Sequence, residues 1–140
     1  MADIGRGLRA YLVGQTSVTD EVGTRIYPGV LPQDATLPAV VYNVIFSDPH
    51  DVLAGSSGSV TSTVQVDIYS DSHISSNSAG EAIRLVTQGY SGSMGSETIN
   101  SVRLTNRNET YEPPTDGSDL GRHRVLLEFD ITHTNTIPSF

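Results

Sequence analysis

Apolar residues recur at two different spacings along this chain, and each spacing predicts one kind of element. Leu8 and Leu12 lie four residues apart within residues 3–13, where the apolar positions fall on one face of a helix. The same spacing predicts a second helix over 78–87, and a short helical turn is expected at 17–22.

Alternation of apolar and polar side chains predicts four strands. The expected strands are residues 39–46, 60–69, 98–106 and 124–133. The second of these shows the clearest period of two, which is typical of a strand with one buried face. The first is apolar on both faces and is therefore expected at the centre of the sheet.

Polar and proline-rich segments separate these elements. Residues 25–38 contain Pro28, Pro32 and Pro38, which favour an extended segment without regular structure. Long loops are expected at 47–59 and 109–121, and a C-terminal tail at 133–140. The whole chain, 1–140, is expected to form one domain. The predicted fold class is α+β: an antiparallel sheet of about four strands, with two helices packed on one face and long loops.

Composition narrows the classes of function. The 140 residues include no cysteine, so disulfides and thiolate metal sites are excluded. All eight basic residues are arginine and the net charge is −8, which disfavours binding to nucleic acid phosphates. We expect neither a signal peptide nor a membrane span, because no long apolar run occurs.

Catalytic and metal-binding motifs are weak. The serine-rich segment Gly89–Ser93 does not match the nucleophile elbow Gly-x-Ser-x-Gly. Asp48, His50 and Asp51 form a short cluster, but a lone surface cluster is seldom a metal site, and a metal needs three or more convergent ligands. We therefore expect no enzyme activity, no metal and no cofactor.

Basic residues concentrate in the second half of the chain, at Arg103, Arg107, Arg122 and Arg124. Two interpretations stay open at equal weight. In one, these arginines pair with Glu109, Glu112 or Glu128 on the sheet surface; in the other, they bind an acidic face of a neighbouring subunit. Direct contact with DNA ranks third, because the chain as a whole is acidic.

Four short segments, in this order, resemble a known family. They are Gly-Thr-Arg-Ile-Tyr at 23–27, Leu-Pro-Ala-Val-Val-Tyr at 37–42, Val-Gln-Val-Asp-Ile-Tyr at 64–69 and Val-Leu-Leu-Glu-Phe-Asp-Ile at 125–131. Together they resemble the phage tail-completion proteins, the small virion proteins of the head–tail junction. The likeness spans most of the chain.

This resemblance implies a fold like that of the tail terminators of lambda-like phages. It implies six copies in a ring on the tail tube, with tube protein below and a head-completion protein above. DNA then passes through the lumen without specific binding, and the protein is made in the host cytoplasm and built into the virion. Another virion connector, such as a head–tail adaptor or tail-tube subunit, is the alternative; a small hydrolase or ligand-binding module is a third hypothesis.

Loop residues are the expected contacts of such a subunit, because loops carry function on rigid scaffolds and aromatic side chains anchor interfaces. Acidic residues near the first long loop are also expected to line the bore. The candidate interface and lumen residues are Asp48, His50, Asp51, Tyr90, Tyr111, Arg122 and Arg124.

Overall fold

The computed structural model describes residues 4–52, 55–95, 97–113 and 121–134, with the backbone alone for 49–52 and 55–58. Three helices are present: α1 (Ile4–Val13), α2 (Thr16–Val22) and α3 (His73–Thr87). The strands are β1 (Ile26–Pro28), β2 (Ala39–Val52), β3 (Gly55–Ser70), β4 (Gly92–Met94), β5 (Glu97–Glu112) and β6 (Arg122–Thr134). None of the described helices is long and apolar enough to cross a membrane.

The strands form one sheet in the order β1-β2-β3-β6-β5-β4. The four long strands are those that alternation predicts, and neighbours among them run antiparallel. The expectation of an antiparallel sheet of about four strands holds for these long strands but leaves out one short strand at each edge. There β1 joins parallel to β2, and β4 joins antiparallel to β5. Each edge strand has three residues, too few for a period of two to be recognised.

The core lies between the helices and one face of the sheet. Leu8 and Leu12 of α1, Ile83 of α3, Val64 of β3 and Phe129 of β6 are fully buried there. Helical spacing and strand alternation therefore identified the core correctly. The helix count was low, because the expected turn at 17–22 is the separate helix α2.

The predicted loop 47–59 is largely strand, and the predicted loop 109–121 begins as strand, while its residues 114–120 lie outside the described residues. Strand β2 continues to Val52 and β3 begins at Gly55, so the predicted loop 47–59 is the outer half of a long hairpin. Strand β5 likewise continues to Glu112, into the predicted loop 109–121. Successive side chains are exposed at 47–48 in β2 and at 109–111 in β5, which removes the alternation that marks a half-buried strand.

Two further boundaries differ from the sequence prediction. Helix α3 starts at His73 rather than at residue 78, because the Ser72 hydroxyl accepts a hydrogen bond from the Ser75 amide at 3.4 Å and caps the polar first turn. Strand β6 continues to Thr134, so the first two residues of the predicted tail 133–140 are strand. Residues 135–140 lie outside the described residues.

Helix α1 approaches the β4 edge at Gly7. A Cβ atom added there would lie 2.5 Å from the Met94 carbonyl oxygen, a distance that real Cβ atoms do not reach. Met94 is itself fully buried. Glycine at position 7 therefore sets the separation between α1 and the end of the sheet.

We predict that Gly7→Ala destabilises the protein by about 1–3 kcal/mol, because the added methyl group forces α1 away from Met94. Gly14→Ala is the matched control, since its nearest neighbour would be the Tyr11 carbonyl oxygen at 3.4 Å. Urea denaturation of both variants measures the difference. Equal midpoints for the two variants would contradict this account of Gly7.

Candidate interface site

The sheet presents its second face away from the helices, and we call this the helix-free face. Val66 and Ile68 of β3 are buried in the core, so Asp67 and Tyr69 between and after them point to the helix-free face. Arg124 of β6 lies directly opposite Tyr69. Charged and aromatic side chains of β3, β5 and β6 therefore meet on this face.

Asp67 is the anchor of the cluster. Its Oδ1 accepts hydrogen bonds from Arg124 Nε at 3.0 Å and Nη2 at 2.8 Å. Its Oδ2 accepts from Gln65 Nε2 at 2.9 Å. Although polar, Asp67 is only 3% exposed. Burial lowers the pKa of Arg124, but the hydrogen bond and attraction from Asp67 outweigh it, so this pKa lies above its ordinary value.

Tyr69 forms the centre of the cluster. The guanidinium carbon of Arg122 lies 5.1 Å from the Tyr69 ring centroid, and that of Arg124 lies 6.0 Å from it, both within reach of a cation–π attraction. Arg122 also pairs with Glu112 at 3.1 Å. Burial raises the pKa of the Tyr69 hydroxyl, although Arg124 opposes that change.

A cavity of about 400 Å³ opens beside this cluster. Gly29, Val30 and Leu31 line one side of it, and Asp67 and Arg122 line the other. Both charged residues of the lining are already paired, Asp67 with Arg124 and Arg122 with Glu112. The arrangement offers a polar, shaped surface to a partner, with an acidic and a basic group held in fixed positions.

The structure brings Arg122 and Arg124, two of the candidate residues, into this cluster. Tyr111 of β5 pairs with His123 and therefore lies on the other face of the sheet from Arg122 and Arg124; its ring centroid lies 4.9 Å from that of His123, and the residue is 54% exposed. The interpretation that the arginines pair within the subunit holds for Arg122 with Glu112. Arg124 pairs instead with Asp67, a residue that alternation placed on the polar face without indicating its burial.

Tyr90 makes contacts within its own subunit. Its ring centroid lies 4.3 Å from that of Tyr11 in α1, and its hydroxyl donates a hydrogen bond to the Ser93 carbonyl at 2.8 Å. It therefore ties the segment after α3 to α1 and to β4.

Asp48 lies far from the cluster, at the outer half of the β2–β3 hairpin. It is exposed and pairs in register with Thr61, whereas Arg124 pairs with Tyr69, eight positions further along β3. At about 3.3 Å per residue, the two sites are roughly 26 Å apart along the strand. His50 and Asp51 continue β2, but their side chains lie outside the described residues.

Three apolar residues beside Asp48 were misassigned by the sequence analysis. Val44, Ile45 and Phe46 are 40%, 51% and 61% exposed, although the apolar run predicted a strand buried on both faces. Strand β1 covers β2 only as far as Tyr42, and an irregularity separates Val44 from Phe46. The buried-strand interpretation is therefore right for the first half of the segment and wrong for the second.

A buried polar network was missed altogether. Ser62 Oγ lies 2.8 Å from His133 Nε2, and His133 Nδ1 lies 2.9 Å from Glu97 Oε1. The three residues are 0%, 3% and 3% exposed, respectively. The order of groups resembles a nucleophile, base and acid, but a fully buried hydroxyl has no contact with a substrate. Ser62 and His133 alternate in step with the buried residues of β3 and β6, and this spacing was the sequence signal that could have placed them in the core.

The described residues contain no cluster of side chains suited to bind a metal ion. Across residues 4–52, 55–95, 97–113 and 121–134, no three histidine, aspartate or glutamate side chains converge on a common point. The cluster at Asp48, His50 and Asp51 is only partly described, since the last two side chains lie outside the described residues.

We predict that Asp67→Ala destabilises the protein by about 1.5–3 kcal/mol, because it removes a charged hydrogen-bond acceptor and leaves Arg124 partly buried without its partner. Glu112→Ala, which breaks the exposed pair with Arg122, is expected to cost less than about 1 kcal/mol. Chemical denaturation of both variants gives the comparison. A loss for Glu112→Ala as large as that for Asp67→Ala would show that burial does not decide the difference.

The raised pKa of Tyr69 also predicts how stability depends on pH. The folded state favours the protonated Tyr69 hydroxyl. The stability that this hydroxyl contributes is complete below the ordinary tyrosine pKa of 10.0 and is lost as the pH rises through the higher pKa of the folded state. The denaturation midpoint should therefore decrease as the pH rises above 10, and this decrease should be less steep for Tyr69→Phe. Tyr11, whose pKa burial also raises, contributes in the same direction, so Tyr11→Phe serves for comparison. Identical alkaline slopes for Tyr69→Phe and the unaltered protein would refute this assignment.

Comparison with known proteins identifies relatives at the level of family and fold. The family described as Tail completion protein gp17 matches residues 6–134. A chain from the virion of a native gene transfer agent particle has a similar fold, with a TM-score of 0.66, 13% identity and coverage of 94% of this chain and 95% of that one. A crystal structure from Akkermansia muciniphila aligns with a TM-score of only 0.28, at 11% identity over 71% of this chain and 44% of that one, too low to indicate a common fold. No curated protein matches the sequence.

Proposed function

Since this chain belongs to the family of the tail completion protein gp17, we propose that it is a tail terminator. In this proposal, copies of the chain form a ring at the head-proximal end of the tail tube, end tube growth and join the tail to the head. The chain is a structural component of a phage-type virion, and its family is one of structural proteins rather than enzymes.

The observation that carries the proposal is the extent of the family match. It begins at residue 6 in α1 and ends at the last residue of β6, so it includes every described element except the first two residues of α1. A match over nearly the whole chain is stronger support for a shared role than a match to one short motif. The fold neighbour belongs to a gene transfer agent virion, so particles of that kind fall within the proposal alongside phages.

The charges of the chain support a role in which DNA passes without adhering. A net charge of −8, with no lysine, gives an average field that repels phosphates. On the helix-free face, the exposed Arg122 is paired with Glu112 and the less exposed Arg124 with Asp67. Arginines neutralised in this way hold little net positive charge for DNA.

Deleting the gene tests the proposal directly. We expect electron micrographs of the lysate to show overlong or ragged tails beside full heads that lack tails, because nothing stops tube growth or presents a docking face. Supplying the unaltered gene in trans is expected to restore tail length and attachment. Gly14→Ala, which leaves α1 undisturbed, serves as a control for expression of a substituted chain.

Other phenotypes would assign a different role. Tails of normal length beside heads that leak DNA would indicate a connector on the head side. A deletion that removes tubes altogether would indicate a tail-tube subunit, and the copy number per particle would then be many rings rather than one. Intact infectious particles would overturn the proposal.

A further inference from the structure

Two segments of the sheet have a hydrogen-bonding edge without a neighbour. Strand β1 pairs with β2 only from Val40 to Tyr42, and β4 pairs with β5 only from Glu97 to Ile99. Among the described residues, no strand covers the far edge of β2 at 44–52 or that of β5 at 103–112. These two stretches are the free edges of the sheet, one on each side.

Free edges of this kind are unusual in a protein that works alone. Unpaired backbone groups are a template for pairing with another chain, and natural proteins protect them with charges, prolines or short strands. The free edge of β2 instead begins with three apolar side chains, Val44, Ile45 and Phe46, which are all at least 40% exposed. Backbone pairing at such an edge removes both the unpaired groups and the apolar surface from water.

We propose that residues 44–48 of one copy pair, as antiparallel strands, with residues 103–107 of the next copy. The occupant of each free edge is thus a second copy of this chain, and the inference rests on the ring of the proposed function. It specifies how neighbouring subunits of that ring are joined. We call this contact the edge joint.

Strand direction favours the edge joint. The long strands β2, β3, β6 and β5 alternate in direction across the sheet, so β2 and β5 run in opposite directions. When copies with the same orientation stand side by side, β5 of one therefore meets β2 of the next in antiparallel fashion. Each copy uses one edge for each neighbour, which is the head-to-tail contact that closes into a ring.

The register follows from the faces of the two strands. Each segment contains one irregular step, between Val44 and Phe46 in β2 and between Leu104 and Asn106 in β5. Because each segment has one extra residue, the five residues 44–48 can pair one to one with the five residues 103–107. Val44, opposite core residue Val64, then meets Arg107, which binds Asn77 of α3 on the same side of the sheet.

At the other end of the edge joint, Asp48 meets Arg103. Both side chains are exposed and lie on the helix-free face. Neither forms an ion pair within the described residues. Asp130, the cross-strand neighbour of Arg103, accepts a hydrogen bond from the Thr63 hydroxyl at 2.7 Å. The edge joint therefore gives each of these opposite charges an ion-pair partner that it lacks among the described residues of its own copy.

Cysteine cross-linking in assembled particles tests this pairing, because the natural chain contains no cysteine. Particles carrying the double variant Asp48→Cys with Arg103→Cys are oxidised and resolved on a non-reducing gel. We expect a ladder of covalent oligomers that ends at the ring number, because each copy links to two neighbours. Particles carrying only one of the two substitutions should give monomers. Covalent dimers from Asp48→Cys alone would instead indicate that two β2 edges pair with each other, and would overturn the inference.

Charge reversal provides a second test that does not depend on disulfide geometry. Asp48→Arg and Arg103→Asp are each expected to reduce incorporation into particles, because each places like charges opposite one another in the edge joint. Combining the two substitutions should restore incorporation. Asp20→Arg, on the exposed side of α2, is the control and should leave incorporation unchanged. A double variant as defective as either single variant would overturn the inference.

Failure of the edge joint and failure of the proposed function give different results. If deletion yields overlong tails but the double-cysteine particles yield no ladder, the protein is a terminator whose subunits join by other surfaces. If deletion leaves tail length and head attachment normal, the terminator role itself is wrong.

Discussion

The pairing of β3 with β6 is the interaction on which the rest of the structure depends. Twelve residue pairs, from Ser59 with Thr134 to Ser70 with His123, join these strands at the centre of the sheet. They come from distant parts of the chain, so their contact closes a long loop that includes α3, β4 and β5. The other long strands, β2 and β5, then add to the two sides of this central pair. The helices find a core because both central strands present alternating apolar side chains to them.

Helices cover only one face of this sheet, and that asymmetry separates two kinds of chemistry. The covered face holds the apolar core, and stability comes mainly from its burial. On the helix-free face, Arg124 contacts both Asp67 and the ring of Tyr69, and these contacts hold the three side chains in place. The buried carboxylate of Asp67 is tolerated because it has a charged partner. The protein can therefore hold charged groups in fixed positions on this face without using its core to do so.

The sequence predicts the elements that bury apolar residues and fails where burial ends. The spacing of Leu8 and Leu12 predicts the buried face of α1 correctly, because one side of this helix faces the core and the other faces water. Ser47 and Glu109 were assigned to loops, since side chains that are exposed on both faces of a strand leave no period. The pairing of Arg122 with Glu112 is one of the alternatives that the sequence leaves open. The partner of Arg124 was not found, because Asp67 lies 57 positions earlier and only the register of β3 with β6 brings them together.

The buried network of Ser62, His133 and Glu97 fixes the alignment of the sheet. Slipping β6 by one residue against β3 would turn His133 to the opposite face and place Thr132 in the core, because successive side chains point to opposite sides. Glu97, only 3% exposed, would then be left buried without the His133 ring, whose Nδ1 lies 2.9 Å from its Oε1. A one-residue slip would also turn the apolar side chains of β6 away from the core, so the apolar pattern and the polar network oppose the same misalignment. Three polar groups at the end of the core thus discriminate against misaligned sheets, and the correct alignment sets the positions of the sheet's outer edges.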